Sequence, residues 1–193
     1  EDFNTTVFHQ WQSTKQKLMS YKGSESVFSL YLEVNLPTGY FQNIAHGHFF
    51  YTPSKLGLGK IHTQELKHLL KNWTTINKST VISWLDRFLT LNTYEISIPG
   101  LKDSTLVPMN QTGVIISFII DYELFQKLEE SGWYDEMRIF IENKMIQLLT
   151  STVYPSLKNN IIKHFSFTPI SIKNRVGSTD GAIVGWSFEK PVP

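Results

Sequence analysis

Asp103, Asp121 and Asp180 fall near the ends of strand-like stretches, where a carboxyl group can serve as a general acid or base. No second titratable residue pairs with any of them in sequence, so each is read as a structural or solvated carboxylate. His46, His48, His62 and His68 have the density of a metal site. His46 and His48 would share one face of a strand, yet no H-E-x-x-H pattern or carboxylate partner accompanies them. They are read as surface or packing residues, and no metal is expected. Gly177-Ser-Thr179-Asp-Gly181 has the glycine frame of a hydrolase nucleophile elbow with threonine where serine must stand, so a turn is expected there. Gly177, Gly181 and Gly185 also repeat a G-x-x-x-G spacing, in a stretch too short and polar for a membrane helix. Such glycines mark tight turns or close backbone approach. Gly57-Leu-Gly59-Lys-Ile-His62 is the nearest approach to the G-x-G-x-x-G loop that cradles a dinucleotide pyrophosphate. It lacks the third glycine and a clear strand before it, so no cofactor cradle is expected within the chain.

Composition narrows the classes further. With 41% hydrophobic and 18% charged residues, the 193-residue chain can bury a core and is not a disordered segment. A formal net charge of +1 and no Lys/Arg cluster argue against a nucleic-acid partner. The absence of cysteine excludes disulfides, thiolate chemistry and cysteine-based metal centres. Aromatic residues reach 13%, which suits either a bulky core or an aromatic-lined apolar pocket. Four N-x-S/T sequons, at Asn4, Asn72, Asn77 and Asn110, carry no inference of secretion in a chain this rich in Asn, Ser and Thr.

The elements that must position these residues follow from periodicity. A weak helical pattern covers 7–20. Residues 26–34 alternate as a half-buried strand, with Phe28, Leu30, Leu32 and Val34 inward and Ser29, Tyr31 and Glu33 outward. A candidate strand at 48–52 stops before Pro53. Two helices follow: one capped by Thr63, with Leu66, Leu69, Leu70 and Trp73 on one face, and one over about 79–90. Strands are expected at 94–98 and at 113–120, the latter apolar on both faces as in a sheet covered on both sides. A short helix with a Glu123→Lys127 pair spans 123–130. A long one covers about 132–151, with Tyr134, Met137, Ile141, Met145 and Leu148 inside and Asp135, Arg138, Glu142, Asn143 and Gln147 outside. The last strand, about 165–172, changes phase at Thr168-Pro169, which predicts a bulge or edge kink. The fold class is α+β: a largely antiparallel or mixed sheet of four to five strands with helices packed on one face.

Three stretches, read in order, resemble the carotenoid-desaturase, carotenoid-isomerase and retinol-saturase group of flavoproteins. They are Ser26-Val-Phe-Ser-Leu-Tyr-Leu32; Tyr94-Glu-Ile-Ser-Ile-Pro-Gly-Leu-Lys-Asp103 with Leu106-Val-Pro108; and Phe167-Thr-Pro169 with Arg175 to Trp186, including Gly181-Ala-Ile-Val-Gly185. Many members of the family have proline where this chain has Ser104. The resemblance implies an FAD enzyme acting on long apolar, isoprenoid-like substrates, with the cofactor held mainly by regions outside 26–186. It places Gly177, Asp180, Gly181 and Gly185 near the flavin of such a parent, and Thr168 and Pro169 near its substrate. No catalytic residue is carried over.

The expected organisation is a helical lead-in over 1–23, one substrate-binding domain over 24–186 and a tail over 187–193. The opening at Glu1, without initiator Met or signal-like segment, and the closing Lys190-Pro-Val-Pro193 are expected of a piece of a longer chain. The expected function is therefore the substrate-binding part of an FAD-dependent oxidoreductase, inactive and flavin-free alone. The alternatives are a freestanding lipid- or isoprenoid-binding module and a protein-interaction domain. The implied partners are an apolar small molecule, the flavin-binding domain, a peripheral membrane contact, and a second copy meeting an exposed apolar face. The implied location is cytoplasmic or at a membrane periphery.

Overall fold

The computed structural model describes residues 2–187; the expected tail lies outside them except for Ser187. In chain order the main elements are α1 (Asp2–Met19), β1 (Ser26–Val34), α2 (Thr38–Phe41), β2 (His48–Tyr51), α3 (Lys60–Lys71), α4 (Lys78–Leu91), β3 (Tyr94–Ser97), β4 (Thr112–Ile120), α5 (Tyr122–Glu130), α6 (Tyr134–Leu148), β5 (Ile161–Phe167) and α7 (Pro169–Val176). The strands form one sheet in the order β2-β3-β4-β1-β5, and every neighbouring pair is antiparallel. The fold is α+β.

Alternation along the strands divides the sheet into two unlike faces. Phe28, Leu30, Leu32 and Val34 of β1 are buried with Val114, Ile116, Phe118 and Ile120 of β4 and with Tyr94 and Ile96 of β3. Onto this face pack Val81, Trp84, Leu85, Phe88 and Leu89 of α4, Leu124, Phe125 and Leu128 of α5, and Met137, Ile141 and Met145 of α6. Phe28 stacks on Phe118 at 5.5 Å and meets Phe125 at 6.0 Å, so aromatic side chains join sheet to helices.

Several sequence expectations need correction. β4 is covered on one side: Ile119 is exposed and Ile115 half-buried on the other, so its apolar outer residues line a free sheet face. The helix expected to start at Thr63 begins at Lys60, because Gly59, in extended conformation, takes the N-cap place without a side-chain cap and leaves Thr63 inside the first turn. Lys127 makes its direct hydrogen bond to Glu130, at 2.9 Å, and the expected Glu123 partner contributes a weaker favourable charge interaction. The long helix ends at Leu148 and continues as a π-helical turn over Leu149–Val153, where Thr150 and Thr152 hydroxyls donate back to Ile146 and Leu148 carbonyls.

The largest correction concerns 165–172. The strand stops at Phe167, and Pro169 is the first residue of α7, with the Thr168 Oγ1 accepting from Ser171 N–H at 3.2 Å. The change of apolar phase marks a switch from strand to helix, for which Thr-Pro is a cap and first-turn pair. No bulge exists at that place; the sheet's irregularity lies between Glu33 and Val34.

Candidate functional site

Five of the six singled-out residues meet at one end of β1. After β5 and α7 the chain doubles back along residues 23–26. Ser24 N–H donates to the Gly185 carbonyl at 2.8 Å, Gly23 N–H to Asp180 Oδ2 at 3.2 Å, and Ser26 Oγ to the Gly181 carbonyl at 2.7 Å. Gly23 and Trp186 form an antiparallel bridge, and the Trp186 ring meets Tyr21 at 6.1 Å. Gly181 has a φ of +60°, and a Cβ there would lie 2.5 Å from the Pro169 carbonyl oxygen and 3.0 Å from Ser26 Oγ. Thr168 is buried, sharing a 2.9 Å hydrogen bond with the Tyr134 hydroxyl. Asp180 itself sits at φ +55°, a left-handed position that aspartate tolerates. Gly177 stands apart: it closes α7 at φ +74°, with nothing near its Cβ position.

Gly181, Asp180 and Gly185 each have a visible role in closing the chain on itself, and Gly177 only ends α7. Beside this seam a polar hollow of about 60 Å³ is lined by Lys22, Glu25, Asp121, Tyr122 and Asp180. Asp121 caps α5 through Glu123 N–H and lies 3.9 Å from Lys22. Lys173 is held above the ordinary lysine range by donating to the Tyr122 hydroxyl at 2.9 Å, with the Asp180 charge adding to the effect.

The free sheet face holds the residues that sequence reasoning passed over. Tyr31 of β1 is opposite Ile115 on one side and Phe165 on the other. Its ring lies parallel to that of Phe165, centroids 4.9 Å apart and planes within 1°. Phe167 meets both edge-on, and the Arg175 guanidinium carbon sits 5.0 Å from the Phe167 centroid. Above this cluster the segment between β3 and β4 makes a wall, leaving a groove of about 250 Å³ between Leu106, Pro108, Ile115, Tyr31 and Phe165. One signal was available. Tyr31 lies on the polar parity of its strand, and Phe165 and Phe167 repeat at the strand period, so three aromatic residues had no core position to fill. Flat apolar rings on an accessible wall suit stacking and van der Waals contact with an extended hydrophobic molecule.

A second missed cluster lies on the helix side. Glu142, expected on the outer stripe of the long helix, is only 4% exposed. Its carboxylate accepts from Arg138 Nη1 at 2.7 Å and from Ser166 Oγ at 2.6 Å, with His164 Nε2 at 3.7 Å. The group pins α6 to the edge strand β5. Serine and histidine both address the carboxylate, so the order needed for a serine nucleophile, with histidine in the middle, is absent.

The remaining candidates stay local. Asp103 is exposed and caps the turn after β3, its carboxyl held below the usual range by hydrogen bonds from the Thr105 hydroxyl and backbone. His48 has a partner after all: its Nε2 lies 2.7 Å from Glu95 Oε1 across the β2–β3 pair. Among the described residues no three His, Asp or Glu side chains are grouped to hold a metal, and no helix is long and apolar enough to cross a membrane. Gly57 and Gly59 lie between the antiparallel edge strand β2 and α3, outside the parallel strand–loop–helix setting of a dinucleotide cradle. No family model matches the chain, and neither does any curated protein.

Proposed function

We propose that this chain is the substrate-binding portion of an FAD-dependent oxidoreductase of the carotenoid-desaturase and retinol-saturase type, acting on a long apolar substrate. The observation that carries the reading is the free sheet face, where the parallel Tyr31 and Phe165 rings floor an apolar groove of about 250 Å³. A conjugated or isoprenoid chain laid along that floor would gain dispersion contact from both rings and from Ile115. The glycine-rich return past Ser26 supports the same reading: it ends beside the start of β1, so a flavin-binding part contributed by flanking sequence would meet the groove-bearing sheet from one end. Redox chemistry belongs to the flavin, and the residues described here bind and orient.

The test is a titration of a retinoid-like polyene into the purified chain, followed by quenching of tryptophan fluorescence. Saturable binding is expected, weakened about tenfold by the double substitution Tyr31→Ser, Phe165→Ser, with FAD alone giving no bound flavin absorbance. Absence of polyene binding, or equal binding by the double variant, overturns the groove as the substrate site. Stoichiometric FAD on the isolated chain overturns the division of labour.

A further inference from the structure

The loop from β2 to α3 does nothing for the core or for the groove, and its composition is one-sided. Leu56 is 87% exposed and Ile61 61%, with Leu58 exposed between them. Gly57 turns the chain at φ +60°, and no atom lies within 4 Å of the Cβ position of either Gly57 or Gly59, so the tip stands clear of the fold. Lys55 and Lys60 flank the three apolar side chains. From Lys60 the exposed face of α3 continues with Lys67 and Lys71, spaced seven and eleven residues on, which puts the three ammonium groups in one row. The opposite face buries His62 and Leu69.

The charge is as uneven as the hydrophobicity. No aspartate or glutamate occurs between Glu33 and Glu65. Glu65 is itself engaged by Arg87 at 2.8 Å. Among the described residues none of Lys55, Lys60, Lys67 and Lys71 has a carboxylate within ion-pair distance. Protruding aliphatic side chains ringed by unpaired lysines match a surface that is apolar within and anionic at its face.

We infer that the Lys55–Ile61 loop and the lysine row of α3 form a docking surface for an anionic lipid bilayer. Leu56, Leu58 and Ile61 enter the headgroup–acyl boundary, and Lys55, Lys60, Lys67 and Lys71 lie against the phosphates. A protein partner would need acidic groups framing an apolar socket, and a second copy meeting this surface with its own copy of it would set lysine against lysine, which repels. The inference locates the peripheral membrane contact that the flavoprotein resemblance implies, but it is argued from neither the groove nor the seam, so its failure would leave the groove reading standing.

Vesicle flotation tests it, comparing phosphatidylcholine vesicles with vesicles carrying roughly 30% phosphatidylserine. The chain is expected to float with the anionic vesicles at low salt and to be released as salt rises. Leu56→Ser with Leu58→Ser should lower the bound fraction about tenfold. Lys60→Gln with Lys67→Gln should remove the preference for phosphatidylserine while leaving both leucines in place. All four positions are exposed, and an unchanged thermal midpoint checks that each variant folds. Failure of the unsubstituted chain to bind anionic vesicles, or binding by the leucine variant at the original level, overturns the proposal. Concentration-dependent dimerisation abolished by the leucine variant also overturns it, in favour of a second copy.

Discussion

At Glu142 a carboxylate is buried while its guanidinium partner, Arg138, keeps partial access to water. Removing Arg138 strands a buried charge, whereas removing Glu142 leaves a cation that solvent still reaches. Arg138→Ala is expected to cost about 3 kcal/mol and Glu142→Ala about 2 kcal/mol, read from urea midpoints at unchanged slope. Equal losses, or a larger loss for Glu142→Ala, would contradict the asymmetry. Tyr154 offers a pH test. Its hydroxyl is buried against Phe41 and Phe49 with no hydrogen-bond partner among the described residues. Burial, aided by Tyr40, pushes its phenol from 10.0 up to about 12. A phenol harder to ionise when folded adds stability that is whole below pH 10.0 and lost as pH rises through about 12. Tyr154→Phe should hold neutral-pH stability within about 1 kcal/mol and soften that alkaline loss. Part of it remains, because burial also raises Tyr94. Thermal midpoints across the window decide it, and identical alkaline falls in both proteins would contradict it. The polar stripe containing Glu142 was legible from helical spacing, but its burial was not: Ser166 and His164 arrive from a strand distant in sequence.

Elements are joined here by close backbone approach, and two glycines separate that effect from conformational freedom. Both Gly177 and Gly181 have positive φ, yet only Gly181 is crowded by the Pro169 carbonyl. Gly177→Ala should cost about 1 kcal/mol, while Gly181→Ala should cost about 3 kcal/mol or more because α7 must also move off β1. Denaturant midpoints compare them, and similar losses would mean that the seam is loose. The same region shows where pattern reading misleads. Phe165 and Phe167 followed by Ile170 and Ile172 read as one strand with a fault at the proline. Apolar spacing over so few residues fits the end of a strand joined to the start of a helix equally well. Thr168 before Pro169 was the deciding sign, since a hydroxyl residue followed by proline is a helix start.

For the whole molecule, the α+β class and the strands expected at 26–34 and 113–120 were legible because the first alternates cleanly and the second is a short, nearly continuous apolar run, and both patterns leave few options. The uncovered face was not, since an apolar residue on a strand's outer parity reads alike under a helix layer or beside an open groove. Strand order was beyond local pattern too, and it has a consequence in time. β1 is made early, but one neighbour is β4 at Thr112–Ile120 and the other is β5 at Ile161–Phe167. Loop-closure entropy over such separations is met only when the distant partner exists. During synthesis, at roughly 5–20 residues per second, β1 therefore waits several seconds with both edges unpaired. The first strand of this sheet to be made is an interior one, between β4 and β5, and it is among the last to be enclosed. In the nascent chain Val27 to Val34 is the segment most in need of shielding from other chains.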